Sequence, residues 1–461
     1  MVFFIPLIMQ KKIYILALLI LCVCCGKSGK MQLVDASHSK VEFNNIVTES
    51  DSLNILIYEY TYNGGGVALA DFNKDGLEDI YFTGSVVDNA LYLNKGNLVF
   101  DDITKKANVS CSGSWSMGVS VIDINNDGWL DMHIAVSGKV DPEKRKNILL
   151  VNQGLNSEGI PEFIDMAESY GLAYDGFSIN SYFFDYDKDG LMDMFLINNH
   201  FTNRGDALSK RSFQEDKNAP NLNRLFKNID GQHFKDVTQE SGLLNDAFSL
   251  SANVFDINQD GWDDIFVSND FVTSSTAFIN QKDGTFKDDI GSYFKHQSFS
   301  SMGVDVADFN NDGQDDVITL DMLPQTASRI KQMFPKTNFQ FYDLLDLYKE
   351  KPQYMRNCLY VNTDGSFNEI SQLANVYNTD WSWSPLLADF DDDGYKDLYI
   401  TNGFPRDLTD LDFINYRGSY ESIMATNQDF LDMIPRVKLP NVMFLNSQSN
   451  QFIDQTQSWE M

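Results

Sequence analysis

A nine-residue acidic loop occurs six times in this chain, opening at Asp71, Asp123, Asp185, Asp256, Asp308 and Asp389. Every copy reads Asp-x-[Asn/Asp]-x-Asp-Gly-x-x-Asp. Six repeats of one turn demand a fold that repeats with them. Positions 1, 3, 5 and 9 offer side-chain oxygens, position 7 offers its backbone carbonyl, and the glycine at position 6 allows the sharp turn that aims them inward. The candidate ligands are Asp71, Asn73, Asp75, Leu77 and Asp79 in the first loop and Asp123, Asn125, Asp127, Trp129 and Asp131 in the second. The third offers Asp185, Asp187, Asp189, Leu191 and Asp193, and the fourth Asp256, Asn258, Asp260, Trp262 and Asp264. The fifth offers Asp308, Asn310, Asp312, Gln314 and Asp316, and the sixth Asp389, Asp391, Asp393, Tyr395 and Asp397. Hard oxygen donors on a flexible ring suit Ca²⁺ better than Mg²⁺, which demands a tighter octahedron, so about six Ca²⁺ ions are expected. Asp, Asn and Gly also make plain turns, but six copies with the same glycine and the same final aspartate ask for more than turn chemistry.

These loops are not EF-hands, which need a bidentate Glu at position 12 and flanking helices. Position 12 is Phe82, Ile134, Leu196, Val267, Thr319 or Ile400. Short apolar runs flank the loops, such as Val67 to Ala70 before the first and Asp79 to Phe82 after it. Each loop therefore reads as a metal-filled hairpin turn between two strands. The same lack of a following helix excludes a dockerin.

A second unit alternates with the first, roughly Asn-x-Leu-Phe/Tyr-x-Asn-x-Gly-x-Phe-x-Asp, as in Asn89 to Asp102 and Asn223 to Asp236. Others start near Asn147, Thr276, Asn357 and Asn441. Two apolar runs around an Asn/Gly turn make a β-hairpin. Two hairpins per repeat give four strands, the content of one propeller blade. The expected fold is all-β, a propeller of six to seven four-stranded blades with short helical insertions. Loop-to-loop spacings of 52, 62, 71, 52 and 81 residues place the insertions at 201–222, 323–356 and 405–437. The second contains a helix-like run, Phe341 to Tyr348, and the third looks similar around Tyr420 to Met424. Small and aromatic residues precede the loops, for example Gly64-Gly65-Gly66 and Trp381-Ser382-Trp383-Ser384. They suit inner strands crowded around a central channel.

The formal net charge is −31, and six bound Ca²⁺ would bring it to about −19. That balance excludes nucleic acid as a partner, which needs a basic surface, and leaves the membrane to be reached only through an anchor. Lys11-Lys12 followed by the apolar Ile13 to Val23 read as an export signal, too short to span a bilayer. The run Cys22-Val23-Cys24-Cys25-Gly26 resembles a bacterial lipoprotein signal, with Cys25 as the lipidated residue and Cys24 the alternative. The expected organisation is a signal peptide at 1–25, a linker at 26–40 and one β domain at 41–461. The expected location is the outer membrane or cell surface, with simple secretion or the periplasm as the alternative. Cys111 and Cys358 fall in different repeats and read as free thiols.

The repeated acidic hairpins, preceded by Gly-Val-Ala-type strands, resemble FG-GAP or VCBS repeats, as found in the integrin α-subunit head and in lipid-anchored bacterial VCBS-repeat proteins. The resemblance covers about residues 42–461 and implies a propeller, usually seven-bladed, with calcium on one face. With six loops present, either Val41 to Val47 completes the last blade as a strand and closes a ring of six, or the ring is imperfect.

Three functional classes remain open: an envelope binding module for glycans or proteins, a propeller-based polysaccharide lyase or hydrolase, and a structural subunit of an outer-membrane uptake assembly. With five histidines and no G-x-S-x-G motif, catalysis is not expected. His200, Asp270, Asp321, Asn402 and Arg406 follow strands in different blades and are candidates for a ligand-binding ring at the channel mouth. Trp115, Trp381 and Trp383 are either sugar-stacking platforms or channel packing.

Overall fold

The computed structural model describes residues 31–138, 141–199, 217–271, 273–333, 339–348 and 351–459. The signal segment, Cys24, Cys25 and His200 lie outside them. Six four-stranded antiparallel sheets follow one another along the chain, each built from contiguous residues in the order first to fourth strand. Blade 1 comprises Val67–Ala70, Asp79–Phe82, Ala90–Asn94 and Phe100–Asp102. Blades 2 to 6 begin at Trp115, Ser178, Phe248, Val304 and Ser382. The first strands of successive blades pack side by side from blade 1 to blade 6. They are the inner strands, and their small residues permit that approach. A Cβ on Gly118 would lie 2.3 Å from Asn180 Oδ1 of the next blade, and one on Gly303 would lie 2.3 Å from the Trp383 carbonyl oxygen. The inner strands of blades 2, 3, 4 and 6 and the residues leading into those of blades 1 and 5 line a central cavity of about 270 Å³.

Alternation along the strands places apolar side chains between blades. Phe72, Tyr81 and Leu91 meet Met132, Ile134 and Phe163 between blades 1 and 2. Similar layers fill the next four gaps. The carboxylate that ends each outer strand caps the one-turn segment after it: Asp102 Oδ1 accepts from the Thr104 N–H at 3.0 Å, and Asp236 Oδ1 from that of Thr238 at 2.9 Å.

The gap between blades 6 and 1 is built differently. No buried apolar cluster among the described residues joins these two blades. Val67 and Leu69 on blade 1 are 58% and 64% exposed, and Leu386 on blade 6 is 48% exposed. The segment expected to close the ring as a strand is not one: residues 41–47 are irregular. Phe43 instead stacks on Phe82, centroids 4.9 Å apart, and Asn45 exchanges hydrogen bonds with Ser85 at 2.9 and 3.2 Å. Glu49 then pairs with Arg406 beyond the inner strands of blade 6, Arg406 Nε donating at 3.1 Å. The segment thus spans from blade 1 to blade 6 through side chains, because blade 6 already owns four strands and offers no place for a fifth.

The chain enters each acidic loop from the end of an inner strand, so all six loops share one face. The connections from second to third strand emerge on the opposite face, and they carry the insertions. The second insertion holds helices Ala327–Gln332 and Phe339–Tyr348, the latter where the sequence predicts one. The third holds Leu411–Arg417, a 3-10 turn at Tyr420–Met424 and Asn427–Met433. Arg329 ties the two insertions together by pairing with Asp380 at 3.2 Å and with Asp407. Residues 50–62 lie across this face, burying Ile55 against Met302, Trp381 and Phe404, and Tyr58 against Trp115.

Candidate functional site

The six loops share one backbone. Position 4 is left-handed in every copy (Lys74, Asn126, Lys188, Gln259, Asn311 and Asp392, φ 56° to 60°), and the position-6 glycines have φ 84° to 91°. A non-glycine residue held there is uncommon, so six alike mark one repeated turn. In the first loop the Asp71 carboxylate accepts from the N–H groups of Asp75 at 3.0 Å and Gly76 at 2.8 Å. Asp75 in turn accepts from Leu77 N–H at 2.9 Å. The other five loops repeat these bonds.

The final aspartate is buried in all six loops. Asp79 accepts from Phe72 N–H at 3.0 Å and, across the sheet, from Asn94 N–H at 2.9 Å. Asp264 does the same with Ile257 at 3.0 Å and Asn280 at 2.7 Å. This carboxylate pins the loop to the end of the third strand, a role that spacing alone does not show. The asparagine at or near the end of each third strand was its available signal, and in alternate blades its amide also reaches back a blade. Asn152, Asn280 and Asn446 donate to the carbonyls of Phe72, Tyr186 and Phe309 at 3.1, 2.8 and 2.8 Å.

The donor set fits a hard divalent cation. Carboxylate oxygens of Asp185, Asp187 and Asp193 converge within 4.8 Å of one another, as do those of Asp389, Asp391 and Asp397. In the other four loops position 3 is Asn, which supplies an amide oxygen instead. The buried Asp316 Oδ2 has no hydrogen-bond partner. Without an ion, burial pushes the carboxyls of Asp79 and Asp131 up to about 6 and those of Asp193, Asp264 and Asp316 up to about 7. Unfolded aspartates titrate near 3.9, so the metal-free fold binds more protons than the unfolded chain between about pH 4 and 7. Its stability then falls as pH rises through that window. We expect metal-stripped protein to melt higher at pH 5 than at pH 8. Calcium-saturated protein should show the reverse, since protons compete with the ion. Paired melts against pH, with and without calcium, check the crossover.

The candidate ring at the channel mouth does not assemble as an open site. Asp270 is fully buried and accepts from the Tyr60 hydroxyl at 2.9 Å. Asp321, also fully buried, accepts from Phe299 N–H at 2.7 Å and Ser300 N–H at 3.1 Å. Asn402 donates to the Thr379 carbonyl at 2.6 Å and the Pro440 carbonyl at 2.9 Å. Arg406 is 5% exposed and bound to Glu49 and the Leu431 carbonyl. All four hold the cap and the strand ends, because residues 49–62 cover the mouth. Trp115 packs edge-on to Tyr58 and is interior, whereas Trp381 stacks on Phe404 at 4.2 Å with 7% of its surface exposed. Trp383 is half-buried, with its indole N–H on the Gly403 carbonyl at 2.5 Å.

Trp381 and Trp383 both line an open pocket of about 360 Å³ beside the cap. Tyr60, Phe271, Met302 and Phe404 share its walls, and Glu59 and Arg417 stand among its polar groups. Phe271 adopts φ 52°, a left-handed conformation costly for a bulky residue.

A cluster of His296, Cys358 and Glu369 has metal-like proximity. Arg356 already holds Glu369 at 2.9 Å and contacts His296 at 3.1 Å. Burial keeps the Cys358 thiol neutral, pushing it up to about 12. Burial opposes ionisation of Glu369 too, but hydrogen bonds from His296 and Ser371 and the charge of Arg356 outweigh it and bring the carboxyl to about 2. This is an ion-pair cluster rather than a thiolate site.

The FG-GAP-like repeat family matches residues 71–134, 256–319 and 346–400, the first two spans containing two complete acidic loops each and the third containing one. No curated protein matches significantly. Among solved structures, the Photorhabdus luminescens Tc holotoxin pore aligns with 72% of this chain at 17% identity and a TM-score of 0.33, and the chain spans 13% of that protein's length. No helix among the described residues is long and apolar enough to cross a membrane. With its repeats matched and six four-stranded blades around one channel, the chain is an FG-GAP-repeat β-propeller.

Proposed function

We propose that this propeller is a calcium-stabilised, lipid-anchored binding module of the cell envelope that takes a glycan or protein ligand on its insertion-bearing face. An FG-GAP propeller is a binding or structural module. The observation that carries the finer reading is the division of labour between its faces. The loop face is occupied by repeated acidic turns. The opposite face carries the insertions, the cap and an aromatic pocket of about 360 Å³, within the range of small-ligand sites. Long connections on a rigid scaffold are where recognition concentrates. The ions act at a distance, holding the hairpins that set the blades. Cys25 would tether the domain, and Cys25→Ser should release it from the membrane fraction.

A binding screen against envelope polysaccharides and envelope proteins, run in calcium and in chelator, tests this reading. We expect calcium-dependent retention without product formation, and a loss of affinity of about tenfold in Trp383→Ala, on the order of 1.4 kcal/mol for one contact face. Product release from a polysaccharide would favour the enzyme instead. Co-purification with an outer-membrane complex, with no glycan retained, would favour the assembly subunit.

A further inference from the structure

The third loop differs from the other five in a way that its own nine residues do not show. The residue before the third-strand asparagine that donates to the loop's final aspartate is Leu93, Val151, Ile279, Val361 and Leu445 in blades 1, 2, 4, 5 and 6, but Lys227 in blade 3. The strand aims this side chain at the acidic loop. Its ammonium pairs with Asp187 and lies 3.1 Å from Asp189 Oδ2. The lysine is only 27% exposed and its partners 18% and 34%.

Position 3 explains why blade 3 alone carries a lysine here. In loops 1, 2, 4 and 5 it is Asn, whose amide donates to the position-5 carboxylate at 2.8 to 3.0 Å. Loops 3 and 6 have Asp at position 3 and lose that donor. In loop 6 a neutral amide replaces it, Gln448 Nε2 donating to Asp393 at 3.0 Å. In loop 3 the replacement carries a full positive charge and contacts two of the carboxylates that would hold the metal. Lys282 approaches Asp260 of loop 4 at 3.2 Å, but from the solvent side and 45% exposed.

Resting on the calcium reading of the loops, we infer that Lys227 is a built-in cation of the third loop, which Ca²⁺ must displace, so that this loop is the weakest calcium site of the six. An ammonium held among carboxylates already satisfies much of their field. A divalent ion gains the loop only by expelling it. The third blade is then held in register with or without calcium, while the other five depend on the ion.

Equilibrium dialysis with calcium alone, on the whole protein, tests this with Lys227→Leu, which restores the residue class of the other blades. Lys227→Leu should bind one more ion than the wild type at free calcium near 10⁻⁴ to 10⁻³ M, or bind its last ion roughly tenfold more tightly. Lys282→Leu should change little. Melting gives a second readout: Lys227→Leu should melt below the wild type in chelator and at or above it in saturating calcium. A lysine that merely braces the fold would lower both melts and leave the stoichiometry alone, which overturns the inference. Should Lys227→Leu not fold, Lys227→Met keeps the apolar stem, and an unchanged stoichiometry there is equally decisive. Absence of calcium binding in wild type and variants alike would instead remove the calcium reading itself, and this inference with it.

Discussion

Chelation will lower the melting temperature of this protein by about 5–10 °C, the largest effect expected of any change in conditions. Extracellular calcium modules bind at roughly 10⁻⁴ to 10⁻³ M. At about tenfold excess over Kd, one site contributes on the order of 1.4 kcal/mol. Five or six independent sites with no affinity for the unfolded chain give about 7–8 kcal/mol, comparable to a domain's whole net stability. Unfolding entropy is about 2.1 cal/mol/K per residue, so a domain of about 420 residues loses roughly 1 °C per kcal/mol. The physical origin is visible in the loops. Three or four carboxylates are gathered at one turn, and the innermost is buried among backbone donors. Calorimetry with and without chelator measures the shift, and superimposable traces would remove calcium from the account of this fold.

The largest single-residue effect is expected at the last aspartate of a loop rather than at its exposed ligands. Asp264→Ala orphans the buried N–H groups of Ile257 and Asn280, which Asp264 accepts at 3.0 and 2.7 Å. A buried donor left without its acceptor costs about 1–3 kcal/mol, so the pair should cost roughly 3–5 kcal/mol even in chelator. In calcium the lost ion adds about 1.4 kcal/mol at tenfold excess. Asp260→Asn keeps an acceptor at a side chain that is 25% exposed and should cost little in chelator. Its effect should emerge only when calcium is present. Denaturant unfolding of both variants, in both conditions, separates a carboxylate that builds the sheet from one that serves the ion. Equal losses for the two variants in chelator would contradict that division.

The blades were legible because their signals are local. The first strand of blade 1 is Val67–Ala70 and the second Asp79–Phe82, as alternation and the turn between them predict. The third strands start at Ala90, Ile148, Arg224, Thr276, Cys358 and Val442, close to the expected hairpin starts. What the sequence hid depends on distant partners. Asp270 and Arg406 look like rim residues until Tyr60, 210 positions away from Asp270, and Glu49, 357 away from Arg406, fold over them. Residues 41–47 have a strand-like composition, yet Phe43 finds an aromatic face on Phe82 rather than a strand edge. Lys227 occupies a position that periodicity marks as core, and only the fold shows it bent into the neighbouring loop.

Each blade is made from its own contiguous stretch of chain, and among the described residues no strand is lent from one end of the domain to the other. Energetically this is a line of six units bent into a circle, in which the four middle blades have two neighbours and the end blades one. The bend is fastened by residues 49–62, which hold the blade 6 side through Glu49 and Ile55 and then run on into blade 1. Circular cooperativity therefore rests on one loosely built stretch of chain, and replacing residues 49–62 with a featureless linker would leave every blade intact while turning the circle back into a line.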